Sequence, residues 1–178
     1  MRDVCKIFET ERLNLRPPAM EDAHVIFSRY AQDAEVTRYL LWRPHTDIAE
    51  TRAFLKKCLD AWASAEEFTW VIQLSGLSEP IGMVAARPRG HRAEVGYVLA
   101  RPYWGKGYMT EALSQVVDSL LSFSGLSRVW AVCNVENPAS ARVMEKAGMT
   151  CEGILRRWNV FPNISSEPRD CHVYARVL

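Results

Sequence analysis

Residues 104–113 read WGKGYMTEAL. Two glycines flank a lysine, and directly after them an apolar stripe begins: Ala112, Leu113, Val116, Val117, Leu120 and Leu121. That spacing predicts a helix from Gly107 to Ser124, ended by Gly125. The stretch just before, EVGYVLA at 94–100, reads as a strand. A strand, a glycine loop and a helix in this order point loop amides and the helix's first free N–H groups into one region of positive potential, which suits phosphate. Two readings of Gly105 and Gly107 stand side by side here: close approach of an anion, or the shape of a tight turn. Lys106 adds a charge at the rim. The common nucleotide loops do not match. Ala100 replaces the first glycine of G-x-x-x-x-G-K-[ST], and Thr110 the last glycine of G-x-G-x-x-G.

Outward from this point the chain alternates element types. ETERLNLRP (9–17) reads as a strand, and MEDAHVIFSRYAQ (20–32) as a helix with Ala23, Ile26, Phe27 and Tyr30 on one face. A second helix starts near Asp47. Glu50 stands at capping-box spacing, and Phe54, Leu55, Cys58, Leu59 and Trp62 form the stripe. FTWVIQL (68–74), IGMVAA (81–86) and the strand before the glycine loop make a meander, with SGLSEP as the first turn. RVWAVC (128–133) is a strand, and PASARVMEKAG (138–148) a short helix with proline at its start and Gly148 past its end. MTCEGILRR and DCHVYARVL are strands joined by NVFPNISSEP. Neither a repeat nor a linker interrupts the pattern, so residues 1–178 form a single α+β domain.

Composition narrows the function. The 178 residues are 48% hydrophobic, enough for one core. The net charge of +1, spread along the chain, argues against a nucleic-acid binder. No apolar run is long enough to cross a bilayer, and the opening MRDVCKIFETERLNLRP lacks the apolar middle of a secretory signal, so no membrane association is expected. Five cysteines, none in a C-x-x-C pair, read as reduced thiols of a cytoplasmic protein. The four histidines are isolated from one another, and no metal site is expected.

Taken together, ETERLNLRP, EVGYVLARPYWGKGYMTEAL, NVENPASARVMEKAGM and CEGILRR resemble the GNAT superfamily of N-acetyltransferases, in the branch of the ribosomal-protein N-terminal acetyltransferases (RimJ/RimL-like). The resemblance covers nearly the whole chain. It implies a mixed central sheet of about seven strands with about four helices, splayed between the fourth and fifth strands. It implies acetyl-CoA as acyl donor, without a metal. The donor's pyrophosphate would lie on the loop Trp104, Gly105, Lys106, Gly107, Tyr108, Met109 and Thr110. In the family pattern R/Q-x-x-G-x-G/A, Trp104 takes the first position and Gly107 the central glycine, while Met109 departs from the final small residue. The resemblance further carries pantetheine binding onto Tyr97, Val98 and Leu99, and onto Asn137 and Ser140 of the family's N-x-x-S pair. Asn137 and Ser140 also read as an ordinary turn residue and a helix-surface residue.

Amide formation sets the chemistry such a site needs. The amine must lose a proton: an α-amino group titrates near about 8 and a lysine near about 10.4. Glu94 is the candidate base, or else a solvated carboxylate at a strand end. The oxyanion needs a donor, expected at a backbone N–H near Val98. For the departing thiolate many superfamily members use a tyrosine seven residues after the asparagine. Met144 stands there and cannot donate, which leaves Ser140. No cysteine neighbours a histidine so as to mark a nucleophile, so direct transfer in a ternary complex is expected over an acyl-enzyme. The acceptor is a primary amine, on a protein or peptide N-terminus or on a small molecule. Tyr39, Trp42 and Trp158 are its expected contacts, with Tyr30, Phe161, Arg43 and Arg157 nearby. The protein is expected as a monomer or homodimer. A catalytically weak CoA-binding sensor is the alternative.

Overall fold

Alternating runs bounded by turn residues form the strands, and the 3.6-residue stripes form the longer helices. The computed structural model describes residues 5–122 and 125–178. The first four residues of the charged opening segment and the last two of the helix expected to reach Ser124 lie outside these. Among the described residues there are eight strands: β1 (Phe8–Glu9), β2 (Leu13–Arg16), β3 (Phe68–Leu74), β4 (Pro80–Arg89), β5 (Arg92–Leu99), β6 (Arg128–Asn134), β7 (Thr150–Val160) and β8 (Pro168–Val177). They make one sheet in the order β1-β2-β3-β4-β5-β6-β8-β7. Five α-helices join them: α1 (Ala23–Ile26), α2 (Ala34–Thr37), α3 (Ile48–Ala63), α4 (Tyr108–Ser122) and α5 (Pro138–Lys146).

The counts exceed the expected ones for local reasons. The Thr10 N–H bonds Leu13 O (2.9 Å), which folds the first strand back on itself and pairs Phe8 with Leu15. Asp33 caps a single extra turn, its carboxylate accepting from the Glu35 and Val36 amides. The first expected helix is irregular. A 3-10 turn (Met20–Asp22) precedes α1, and a π turn (Phe27–Ala31) follows it. Ser28 Oγ donates back to His24 O (2.8 Å), a bond that competes with the regular helix ladder. Asp47 does cap α3, accepting from the Ala49 amide (2.7 Å), but Glu50 bonds Thr46 Oγ1 (3.0 Å) rather than closing the capping box.

Helices cover both sheet faces. The larger core joins Leu13, Trp70, Val84, Val95 and Val129 to the α4 stripe Ala112, Leu113, Val116, Val117 and Leu120 and to Met144 of α5. The smaller joins Ile26, Tyr30, Leu55, Val71 and Met83 beneath α1 and α3. Leu113 is wholly buried, so truncation to alanine would cost about 2–5 kcal/mol.

All neighbouring strands run antiparallel except β5 and β6, which are parallel for three pairs only: Arg92–Arg128, Ala93–Val129 and Glu94–Trp130. Beyond Glu94, β5 stays with β4, while β6 stays with β8 as far as Asn134–Cys171. The strands part, and their carboxyl ends enclose a wedge-shaped gap. This is the expected splay.

Candidate active site

A parted strand exposes backbone. The Ala100 N–H donates to Ile81 O (2.9 Å). Antiparallel ladders alternate, so Val98 and Gly96 also turn their amides toward β4; on the other edge Val95 faces β6 at the last parallel pair, and Tyr97 and Leu99 beyond it turn their amides into the gap. The free amide expected near Val98 thus falls, by the phase of the ladder, on its neighbours Tyr97 and Leu99 rather than on Val98 itself. The Val98 side chain packs against the smaller core, and Leu99 is buried in the larger one.

The loop Trp104–Gly107 follows β5 and ends as the cap of α4. The Trp104 indole N–H donates to Leu99 O (2.6 Å), which ties the loop to the strand end. Gly105 and Gly107 both have positive φ, 73° and 81°, so a tight turn does require them. A Cβ at Gly105 would meet nothing within 4 Å, which leaves the space above the loop open. The Glu111 N–H takes Gly107 O (3.0 Å), so Gly107 caps the helix without a side chain to occupy the first amides. The loop is thus both a tight turn and a helix start with no capping side chain. Lys106 is exposed, with Nζ 5.8 Å from the Tyr103 ring, and Tyr108 is half-buried. Met109 points into the core at 4% exposure, so its departure from the small-residue pattern is taken up by packing and leaves the loop surface unchanged. Thr110 is half-exposed in the first turn.

Helix α5 closes the far side of the gap. Asn137 is its N-cap, with Oδ1 accepting from the Ser140 amide (3.1 Å). The cap uses the oxygen and leaves Nδ2. Ser140 is half-exposed, and the Tyr97 hydroxyl lies 2.7 Å from its Oγ and 3.0 Å from its carbonyl oxygen. Side chains from β5 and α5 therefore meet across the gap. Burial pushes the Tyr97 phenol well up, against the opposing effect of its bond to Ser140. Burial also pushes the neighbouring Cys133 thiol up to about 12, so it stays protonated at neutral pH and is no nucleophile. Asn134, at the end of β6, is 1% exposed; its Oδ1 accepts from the Glu136 amide (2.8 Å), while Nδ2 is buried with no partner among the described residues. Met144 is fully buried in the larger core.

Glu94 does not join Ser140. It sits at the apex, where β5 leaves β6, three residues before Tyr97 and so about 10 Å along the strand. It lies beside Arg87 of β4 in register, and Arg87 is itself paired with Glu67 (2.6 Å).

Residues 12–150 match the family profile described as acetyltransferase (GNAT) domain. The chain belongs to the GNAT acetyltransferase family. An uncharacterized N-acetyltransferase, YoaA of Bacillus subtilis (strain 168), is 33% identical over 174 residues, 96% of each chain. A GNAT-family acetyltransferase structure from Bacillus anthracis superposes with a TM-score of 0.84 at 28% identity, covering 96% of this chain and 98% of that one. A ribosomal-protein α-N-acetyltransferase, RimL, solved with coenzyme A, superposes with a TM-score of 0.85 at 20% identity, covering 97% and 98%. At that identity the likeness is one of fold.

On the face of this GNAT acetyltransferase away from α4, the β7–β8 loop docks on the segment after α2. Asn163 Nδ2 donates to Thr37 O (2.7 Å) and Trp42 O (2.8 Å). The sequence offers no signal for this residue beyond an asparagine in a loop. Tyr39 and Trp42 are half-exposed in the docked segment. Trp158 is 51% exposed on β7, beside a bulge that shifts the register between Leu155 and Asn159. Arg157 adopts φ 48° in that bulge, its amide held by Asp170 (2.8 Å) and its guanidinium by Glu167 (2.9 Å). Tyr30 and Phe161, expected near the acceptor, are buried at 1% and 3% and act as core. Arg43 is exposed. Among the described residues no helix is long and apolar enough to cross a membrane, and no group of acidic, histidine or cysteine side chains is placed to hold a metal.

Proposed function

We propose that this acetyltransferase moves an acetyl group from acetyl-CoA to a primary amine, in one complex with both substrates. The acceptor amine belongs to a protein or peptide N-terminus or to a small molecule, and the chain stands with the ribosomal-protein branch of the family. The observation that carries the reading is the gap between β5 and β6, bounded by unpaired amides, opening beside a glycine-capped helix start. An anion on Gly105–Thr110 and an amide-bearing arm along Tyr97–Leu99 match those donors in kind. Asn137 Nδ2 and the buried Asn134 Nδ2 add two more.

Acetyl-CoA supplies a thioester carbonyl, and the residues around the gap do the rest. Glu94, through water, accepts the proton that the amine loses as its nitrogen bonds to the carbonyl carbon. The gap-facing amides of Tyr97 and Leu99 donate to the oxyanion; one such donor is typically worth roughly 3 kcal/mol. As the C–S bond breaks, its electron pair stays on sulfur. Ser140 donates a hydrogen bond there rather than surrendering a proton. When the Tyr97 phenol gives its one proton to Ser140 Oγ rather than to the Ser140 carbonyl oxygen, the serine proton is free to point at sulfur. A protonated Cys133 disfavours an acyl-enzyme route.

The test is thiol release from acetyl-CoA, and in parallel from succinyl-CoA, with a panel of peptides and small amines. Amine-dependent release is the expected result. Binding of acetyl-CoA with no release for any amine would replace the reading by that of a sensor.

A further inference from the structure

The phosphate loop is held from outside by residues about a hundred positions earlier in the chain. Glu111, in the first turn of α4, receives three hydrogen bonds and an ion pair from Thr10 and Arg12. Thr10 Oγ1 (2.6 Å) and the Arg12 amide (3.0 Å) bond its Oε1. Arg12 Nε donates to its Oε2 (2.7 Å), and Nη2 forms an ion pair with the same oxygen at 2.7 Å. The remaining arm of the guanidinium, Nη1, donates to Lys106 O (3.0 Å) inside the glycine loop. The guanidinium also stacks on the Tyr108 ring at 4.8 Å and lies 3.4 Å from the place a Cβ would take on Gly107. One arginine thus touches the loop carbonyl, the helix's first residue and the helix's acid.

Glu111 poses an electrostatic difficulty. A carboxylate in the first turn favours the helix itself, but it stands at the mouth of an anion site and repels the ligand. Burial alone would raise its pKa. The bonds from Thr10 and Arg12, with the Arg12 charge, outweigh burial and hold it below the ordinary carboxylate range, so it is ionised at neutral pH.

We propose that Arg12 is a positioning residue of the donor site: it fixes the Trp104–Gly107 loop through Lys106 O and masks the Glu111 carboxylate from the bound pyrophosphate. The proposal rests on the phosphate-loop reading of Gly105–Thr110. The Arg12 side chain is 43% exposed and Glu111 18%, so the bonds are partly screened and the lower end of charged hydrogen-bond effects applies.

Calorimetric titration with coenzyme A, beside amide hydrogen exchange on the free protein, tests it. Arg12→Ala is expected to weaken binding by about tenfold and to speed exchange of the 105–110 amides. In turnover the KM for the acyl donor rises, while kcat at saturating donor and the acceptor KM hold. Arg12→Lys retains charge but loses the fork and falls between. The decisive variant is Arg12→Ala with Glu111→Gln: removing the unmasked charge restores part of the lost affinity. Glu111→Gln alone keeps one acceptor oxygen, turns the other into an amide donor and removes the charge together with the need to mask it, so coenzyme A affinity is expected to stay near that of wild type. If the double variant binds no better than Arg12→Ala, the masking is wrong and Arg12 meets the phosphate directly. If loop exchange is unchanged in Arg12→Ala, the positioning is wrong. Gly107→Val separates the underlying reading: wild-type affinity in that variant removes the phosphate loop itself, whatever Arg12 does.

Discussion

The Asn137 side chain has one polar atom in a cap and the other free, and three substitutions test whether the free one serves the acyl donor as proposed. Its Oδ1 caps α5 at 3.1 Å from the Ser140 amide, and its Nδ2 is the proposed donor to the pantetheine arm. Asn137→Ala loses both. Loss of an N-cap costs about 1 kcal/mol. At this chain length each kcal/mol moves Tm by about 2–4 °C, so a fall of that size is expected. Loss of the proposed hydrogen bond to the acyl donor costs about 1–3 kcal/mol, or about five- to 150-fold in kcat/KM. Asn137→Asp keeps an acceptor at the same place, and its charge at the helix start contributes about 0.3–1 kcal/mol. Asn137→Ser caps without a charge. Neither has an amide N–H to give. Both are expected to melt within a degree or two of wild type while retaining the kinetic defect of alanine. Melting curves and kcat/KM from thiol release, measured on all four proteins, give the answer. If aspartate and serine restore kcat/KM along with Tm, Asn137 is a cap and nothing more.

The glycine loop gives a second expectation: Gly107→Val weakens coenzyme A binding severely in a protein that still folds, because a β-branched residue is strained at φ 81° and turns the loop amides from their present directions. Calorimetry beside a melting curve checks it, and unchanged affinity defeats the assignment. For the leaving group, Ser140→Ala lowers kcat with acyl-donor affinity nearly intact, and Tyr97→Phe lowers it less by freeing the serine to rotate. Since burial pushes the Tyr97 phenol up, kcat/KM of the wild type rises as the amine deprotonates and then levels; a steep alkaline fall short of unfolding points to another acid. Finally, Glu111 has a depressed folded pKa, so its stabilisation is present above the unfolded value of about 4.3 and is lost as pH falls through the lower folded value. The Tm gap between wild type and Glu111→Gln is therefore full at pH 7 and closes in that acid window. A gap that does not change with pH counts against the ionised network.

Much of the fold was legible because its determinants are local. FTWVIQL spans β3 from end to end, and the stripe of α4 is buried along the residues whose spacing announced it. Pro138 and Gly148 bracket α5 as a start and a stop. The local reading failed where a weak signal met a stronger neighbour. The four-residue α2 is too short to show a period. The π turn at Phe27–Ala31 leaves the helical spacing of Ile26 and Tyr30 almost intact. Glu50 stands at capping-box spacing, yet Thr46 offers it a nearer partner.

The candidate site divides along the same line. Glycines at 105 and 107 could be picked out in the sequence, because turn geometry depends on residues a few positions apart, while Asn137 and Ser140 were marked by the family resemblance. Which amides face the gap could not, since the phase of the β4–β5 ladder depends on pairing across strands. Tyr97 meets Ser140 across 43 residues and Arg12 meets Glu111 across 99. Asn163 reaches Thr37 across 126. At such separations spacing along the chain carries no information about contact, so only the packed sheet and its two helix layers determine these partners. The sequence by itself therefore determined the elements, the turn glycines and the caps. The tertiary structure decided which of their polar atoms are occupied and which remain free for a ligand.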